Sequence, residues 1–204
     1  MHVTLRRYAE VGARMYEMVF REVEAGLVPM LKAEPGFRFY CAFLNEEGEG
    51  VSVTAFDERE QAIRANEQVF GWVEANLRDL LPDPPEVLAG EVRREVQGQG
   101  RGGAEGAYVV IRQYDGVRSI ERLTALADEH VLPVIRQAPG LWGHYAFTSG
   151  QDQGRVVAVS VFDTRENAMR VSDQVVGIMR ERAKDLVPNP PRVTAGEAAV
   201  AASA

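Results

Sequence analysis

The chain has 204 residues, 46% hydrophobic and 26% charged, the balance of an ordinary globular protein. A formal net charge of -7 argues against a nucleic-acid partner, because phosphate binding needs clustered Lys and Arg. One cysteine, Cys41, excludes an intramolecular disulfide, and no stretch approaches the roughly 18 apolar residues that a membrane helix needs. The first residues carry no apolar run before a small-residue cleavage site, so the expectation is a cytoplasmic protein.

Val3 to Tyr8 has β-branched and aromatic character and is predicted as a strand. From about Val11 to Ala33, Met15, Val19, Val23, Leu27 and Leu31 recur at helical spacing, predicting a helix. Pro29 removes a donor within it, so a kink or two helical pieces are expected there, and Pro35-Gly36 ends it. Phe37 to Leu44 reads as the second strand, with Phe37, Phe39, Cys41 and Phe43 predicted on one face. A Gly-rich hairpin leads to a third strand, Val51 to Phe56. Asp57 is the expected N-cap of the next helix, with Glu60 completing a capping box. After a Pro-rich turn, a fourth strand is expected from about Val87 to Val96.

The same order then returns. Phe56-Asp57-Glu58-Arg59-Glu60 matches Phe162-Asp163-Thr164-Arg165-Glu166, and Ala89-Gly90-Glu91 matches Ala195-Gly196-Glu197. Pro133, Pro139-Gly140 and Asp163 repeat the break, the stop and the cap. The expected organisation is 1–96 as one repeat, 97–106 as a linker, 107–198 as a second repeat and 199–204 as a tail. Gly98, Gly100 and Gly103 spell G-x-G-x-x-G, but a strand rather than a helix is predicted to follow. A flexible linker is therefore expected rather than a dinucleotide site. The predicted fold class is α+β: two ferredoxin-like βαββαβ repeats, packed sheet to sheet as a single-chain pseudo-dimeric α/β barrel. Each sheet has one face left bare by its helices, and the second copy can cover it. Further self-association stays open.

The element order, the Pro-Gly before the second strand and the aspartates ahead of the second helix resemble the dimeric α/β-barrel superfamily. The chain is most similar to its antibiotic biosynthesis monooxygenase (ABM) type, in tandem-fused form. That resemblance implies a ligand cavity between sheet and helices, and it is specific for fold rather than reaction. One implied activity is cofactor-free oxygenation of a small aromatic or polyketide-like molecule; the alternative is a binder or interaction protein that performs no chemistry. Haem-degrading relatives hold iron through a histidine on the second helix; the approximate equivalents here, Asn76 and Arg182, cannot do so. No metal-ligand spacing occurs either, so neither cofactor nor metal is expected.

Asn66 falls on an apolar helical stripe, and Ser172 matches it in the second repeat. A buried amide there either caps a backbone group or orients a substrate oxygen. Tyr40 and His144 share a position on the second strand. His144 is a candidate base, with Trp142 and Tyr145 lining its pocket, or simply a hydrogen-bonded residue of the sheet. Arg6 and Arg112 would bind an anionic substrate or form ion pairs with Glu91 and Glu197. Cys41 reads as packing.

Overall fold

The computed structural model describes residues 1–9, 13–98, 106–149 and 154–204. In chain order the elements are β1 (His2–Tyr8), α1 (Ala13–Glu22), α2 (Val28–Ala33), β2 (Phe37–Leu44), β3 (Gly50–Phe56), α3 (Arg59–Asn76) and β4 (Glu86–Gln97). There follow β5 (Tyr108–Tyr114), α4 (Ile120–Leu126), α5 (Leu132–Arg136), β6 (Leu141–Thr148), β7 (Val156–Phe162), α6 (Arg165–Arg182) and β8 (Arg192–Ser203). The fold is α+β. Followed through its hydrogen bonds, the strand order is β1-β3-β2-β8-β5-β7-β6-β4 and returns to β1, the connectivity of an eight-stranded antiparallel barrel. Among the described residues, no helix is long and apolar enough to cross a membrane.

The chain divides into two compact units, and the divisions fall inside β4, after Glu91, and inside β8, after Gly196. Residues 199–203, set apart in the sequence as a tail, extend β8: Val200, Ala201, Ala202 and Ser203 pair with β2. Of the expected linker, 99–105 lie outside the described residues. Gly98 donates its N–H to the Trp142 carbonyl at 3.0 Å, and a Cβ there would strike the Leu141 carbonyl.

In the first unit, β1 lies between β3 and the first half of β4, and β2 follows β3. The predicted long helix is broken ahead of its proline. A π-helical turn, Val23–Leu27, separates α1 from α2, with the Val28 N–H bonded to the Val23 carbonyl. Pro29 thereby falls in the first turn of α2, a position that tolerates its missing N–H. The second unit repeats the device at Ala127–Val131, ahead of Pro133.

The register of β2 slips between Phe37 and Phe39. Such an extra residue reverses the alternation of side chains. Phe37 therefore joins Tyr40 and Ala42 in the core under the helices, its ring 5.8 Å from that of Phe56, and parts from Phe39, Cys41 and Phe43. This corrects the face assignment expected from strict alternation. β6 slips in the same way between Leu141 and Gly143.

The helix caps sit one residue later than expected. Glu58 caps α3 in a reciprocal box with Gln61, and Thr164 caps α6 by accepting from the Asn167 N–H at 3.3 Å. Asp57 accepts from Arg38 instead, and Asp163 accepts from the Asn167 side chain at 2.9 Å. Both aspartates also donate their backbone N–H to a glycine carbonyl, Gly36 or Gly140. Those glycines have φ of 75° and 70°, which explains the glycine of each Pro-Gly pair.

Candidate functional site

Alternation on β1 turns Arg6 and Tyr8 toward the helices of the first unit. Arg6 is 3% exposed, and it donates Nη1–H to Thr54 Oγ1 at 2.9 Å and Nη2–H to Asn66 Oδ1 at 2.7 Å. Both acceptors are neutral. The ion pair with Glu91 expected from sequence is not formed: Arg6 stands opposite Val87, and Glu91 lies opposite His2 with its side chain exposed. Burial lowers the Arg6 pKa, an effect opposed by the nearby Tyr8 and Tyr40 hydroxyls. Even so, a guanidinium stays charged in proteins. The result is a buried cation without a carboxylate, an arrangement that favours an added anion.

A cavity of about 270 Å³ opens beside it, walled by Arg6, Tyr8, Asn66, Phe70 and the turn from Leu81 to Pro85. Asp83 and Glu74 also border it. A second, narrower pocket of about 30 Å³ lies deeper under the helices, among Tyr16, Val19, Val23, Tyr40 and Ala42. Tyr8, Val69, Val73 and Leu81 line both. Burial raises the pKa of Tyr8, Tyr16 and Tyr40, so all three are hydroxyl donors at neutral pH.

In the second unit, Arg112 is wholly buried and donates Nη2–H to Ser160 Oγ at 2.7 Å. His144 Nδ1 lies 2.9 Å from the same hydroxyl. Burial, reinforced by the Arg112 charge, pushes the His144 pKa down to about 3, so its ring is neutral at physiological pH. Ser172, on the inner stripe of α6, stands in the place of Asn66. Its shorter side chain does not replace the amide: among the described residues, Arg112 Nε and Nη1 and the Tyr114 hydroxyl lack a hydrogen-bond partner. Glu197, the expected ion-pair partner of Arg112, is exposed while Arg112 is not.

The fold thus gathers Arg6, Asn66 and Tyr40 in one unit, and Arg112, His144 and Ser172 in the other. Tyr145 does not join His144. Adjacent strand residues point to opposite faces, and Tyr145 packs over Gly143, where a Cβ would meet its hydroxyl at 2.7 Å. Trp142 sits half-buried at the register slip of β6. Cys41 is buried, its thiol pushed up to about 12, as befits a packing residue.

Sequence reasoning missed Thr54 and Ser160, the hydroxyls that hold the two arginines, and Tyr16, which lines the inner pocket. The signal was a hydroxyl residue two places before the closing phenylalanine of two largely apolar strands, Val-Thr-Ala-Phe and Val-Ser-Val-Phe.

No family model matches the sequence, and no curated protein matches it. Solved structures do. A Fusobacterium nucleatum protein provisionally named a monooxygenase aligns at a TM-score of 0.81 and 10% identity, over 99% of this chain and 94% of its own. A Lactobacillus acidophilus protein of the same provisional name gives 0.73 and 9%, over 99% and 96%. An anthrone oxidase-like protein gives 0.63 and 10%, over 99% and 92%. At such identities the likeness establishes the shared fold. A protein provisionally named a chlorite dismutase and a chlorite dismutase of Candidatus Nitrospira defluvii share it too, each at a TM-score of 0.61. At the positions read as equivalent to the haem-iron histidine, however, stand Arg182 and Asn76, whose amide bonds the Trp72 carbonyl at 2.8 Å. Neither offers an imidazole, so these residues do not fit a haem iron held that way.

Proposed function

We propose that the chain is a tandem ABM-like protein, whose first unit binds a small hydroxylated aromatic or polyketide-like molecule and oxygenates it without a cofactor. The observation that carries this reading is the buried Arg6 guanidinium, held by two neutral acceptors on the wall of a 270 Å³ cavity. That volume is just under the roughly 300–1,000 Å³ of ordinary ligand sites, so the molecule is small. Arg6 favours the oxyanion of a phenol or enol, which makes the substrate electron-rich enough to reduce dioxygen. Asn66 fixes the guanidinium and presents its own amide to the cavity. In the overall step a substrate CH2 becomes C=O. One atom of dioxygen enters the product, the other leaves as water, and the substrate supplies all four electrons. Under this reading His144 is a hydrogen-bonding partner of Ser160 rather than the base, because a pKa of about 3 suits it poorly to take protons at neutral pH.

A second reading, binding without chemistry, is favoured by one observation. The three tyrosines bordering the cavity and its inner pocket are all held protonated, which leaves no poised base among them. Oxygen uptake with a panel of anthrones and quinols separates the two. Turnover that Asn66→Ala abolishes supports the oxygenase; binding without uptake leaves the binder.

A further inference from the structure

The inner pocket of the first unit differs from the cavity beside it in size and in chemistry. Its volume of about 30 Å³ is room for one very small molecule, given that a single water needs at least about 10–15 Å³. Val19, Val23, Leu27, Val69 and Val73 supply apolar walls. The Tyr16 and Tyr40 hydroxyls that reach it are already engaged. Tyr16 accepts from the Gly50 N–H at 2.7 Å and donates to the Ala9 carbonyl at 3.2 Å, while Tyr40 is hydrogen-bonded to Ser52. A buried water requires two to four polar partners, and among the described residues this pocket offers one uncommitted hydroxyl, that of Tyr8. A nonpolar diatomic has no hydrogen bonds to lose on entering, so the pocket selects for it.

Position gives this selectivity a use. Tyr8, Val69, Val73 and Leu81 wall both spaces, so the pocket adjoins the chamber that holds the Arg6 guanidinium. We propose that the inner pocket is a dioxygen site, which holds the gas beside the oxyanion bound at Arg6. This inference rests on the oxygenase reading. It adds where the second substrate waits.

The test has two arms. Crystals of the full chain pressurised with xenon should show one xenon atom between Val19, Val69 and Val73. In steady-state kinetics with an anthrone, narrowing the pocket by Ala42→Val should raise the KM for dioxygen several-fold while leaving the KM for the anthrone unchanged. Val19→Leu, which lines the inner pocket from α1, serves as the second variant should Ala42→Val not fold. A merely structural effect would move both constants together. Xenon absent from the pocket, or an unchanged dioxygen KM in a folded variant, would overturn the dioxygen site even if the protein consumes oxygen. No oxygen uptake by the wild type across the anthrone and quinol panel would overturn the oxygenase reading and this inference together.

Discussion

Asn66 holds Arg6: its Oδ1 accepts the guanidinium Nη2–H at 2.7 Å, joining an α3 side chain to a β1 side chain across the sheet-to-helix layer. Removing the amide would leave a buried charged donor without that partner, a loss on the order of 1–3 kcal/mol. Asn66→Ala is therefore expected to lower unfolding stability by that amount and to weaken ligand binding as well. Urea titration gives the first number and calorimetric titration the second. An unchanged urea midpoint would mean the bond contributes nothing.

Arg6→Met separates stability from function. The substitution removes a buried uncompensated charge but leaves the Thr54 and Asn66 oxygens without their donor, two opposed effects, so stability should change by no more than about 1–3 kcal/mol. Affinity for a phenolate ligand should fall at least about tenfold, roughly 1.4 kcal/mol. A larger loss of stability together with retained affinity would reverse the assignment.

His144 makes the second unit sensitive to acid. Its folded pKa of about 3 lies below the ordinary 6.5, so between those values the unfolded chain binds more protons than the folded one. Stability from this group is complete above pH 6.5 and is lost as pH falls toward 3. Between pH 6.5 and 4.5 the loss is on the order of 2 kcal/mol. His144→Gln removes this titration, so its unfolding free energy should decline less steeply over that range. Parallel curves for the two proteins would contradict the buried neutral imidazole.

Gly26 and Trp72 are matched in the first unit. A Cβ on Gly26, in the π turn, would lie 2.8 Å from Trp72 Cζ2. Alanine in a helix normally gains about 1 kcal/mol over glycine, but overpacking costs about 1–3 kcal/mol. Gly26→Ala should therefore destabilise, and the same change in a Trp72→Leu background should be neutral or favourable. Equal effects in both backgrounds would show that the ring does not constrain Gly26.

These pairings show what was legible in the sequence. Local signals carried the α+β class, the order of elements and the stop at each Pro-Gly, because helical spacing and turn chemistry act over a few residues. Non-local geometry was not visible. The slip between Phe37 and Phe39 moves a phenylalanine to the other face, and nothing in Phe-Arg-Phe announces it. Arg6 and Glu91 looked complementary, yet strand register sets Arg6 opposite Val87. Asn66 was conspicuous as a polar residue on an apolar stripe. What it bonds could be read only once α3 lay over β1. Tyr145, adjacent to His144 in sequence, is separated from it by the sheet itself.

The central claim is that the first unit holds a small oxyanion at Arg6. Isothermal titration of a hydroxylated anthrone into wild type and Arg6→Met tests it most directly. The expected result is one molecule bound per chain, with affinity at least about tenfold weaker in the variant. Equal affinity in the two proteins, or no binding to the wild type, would contradict it.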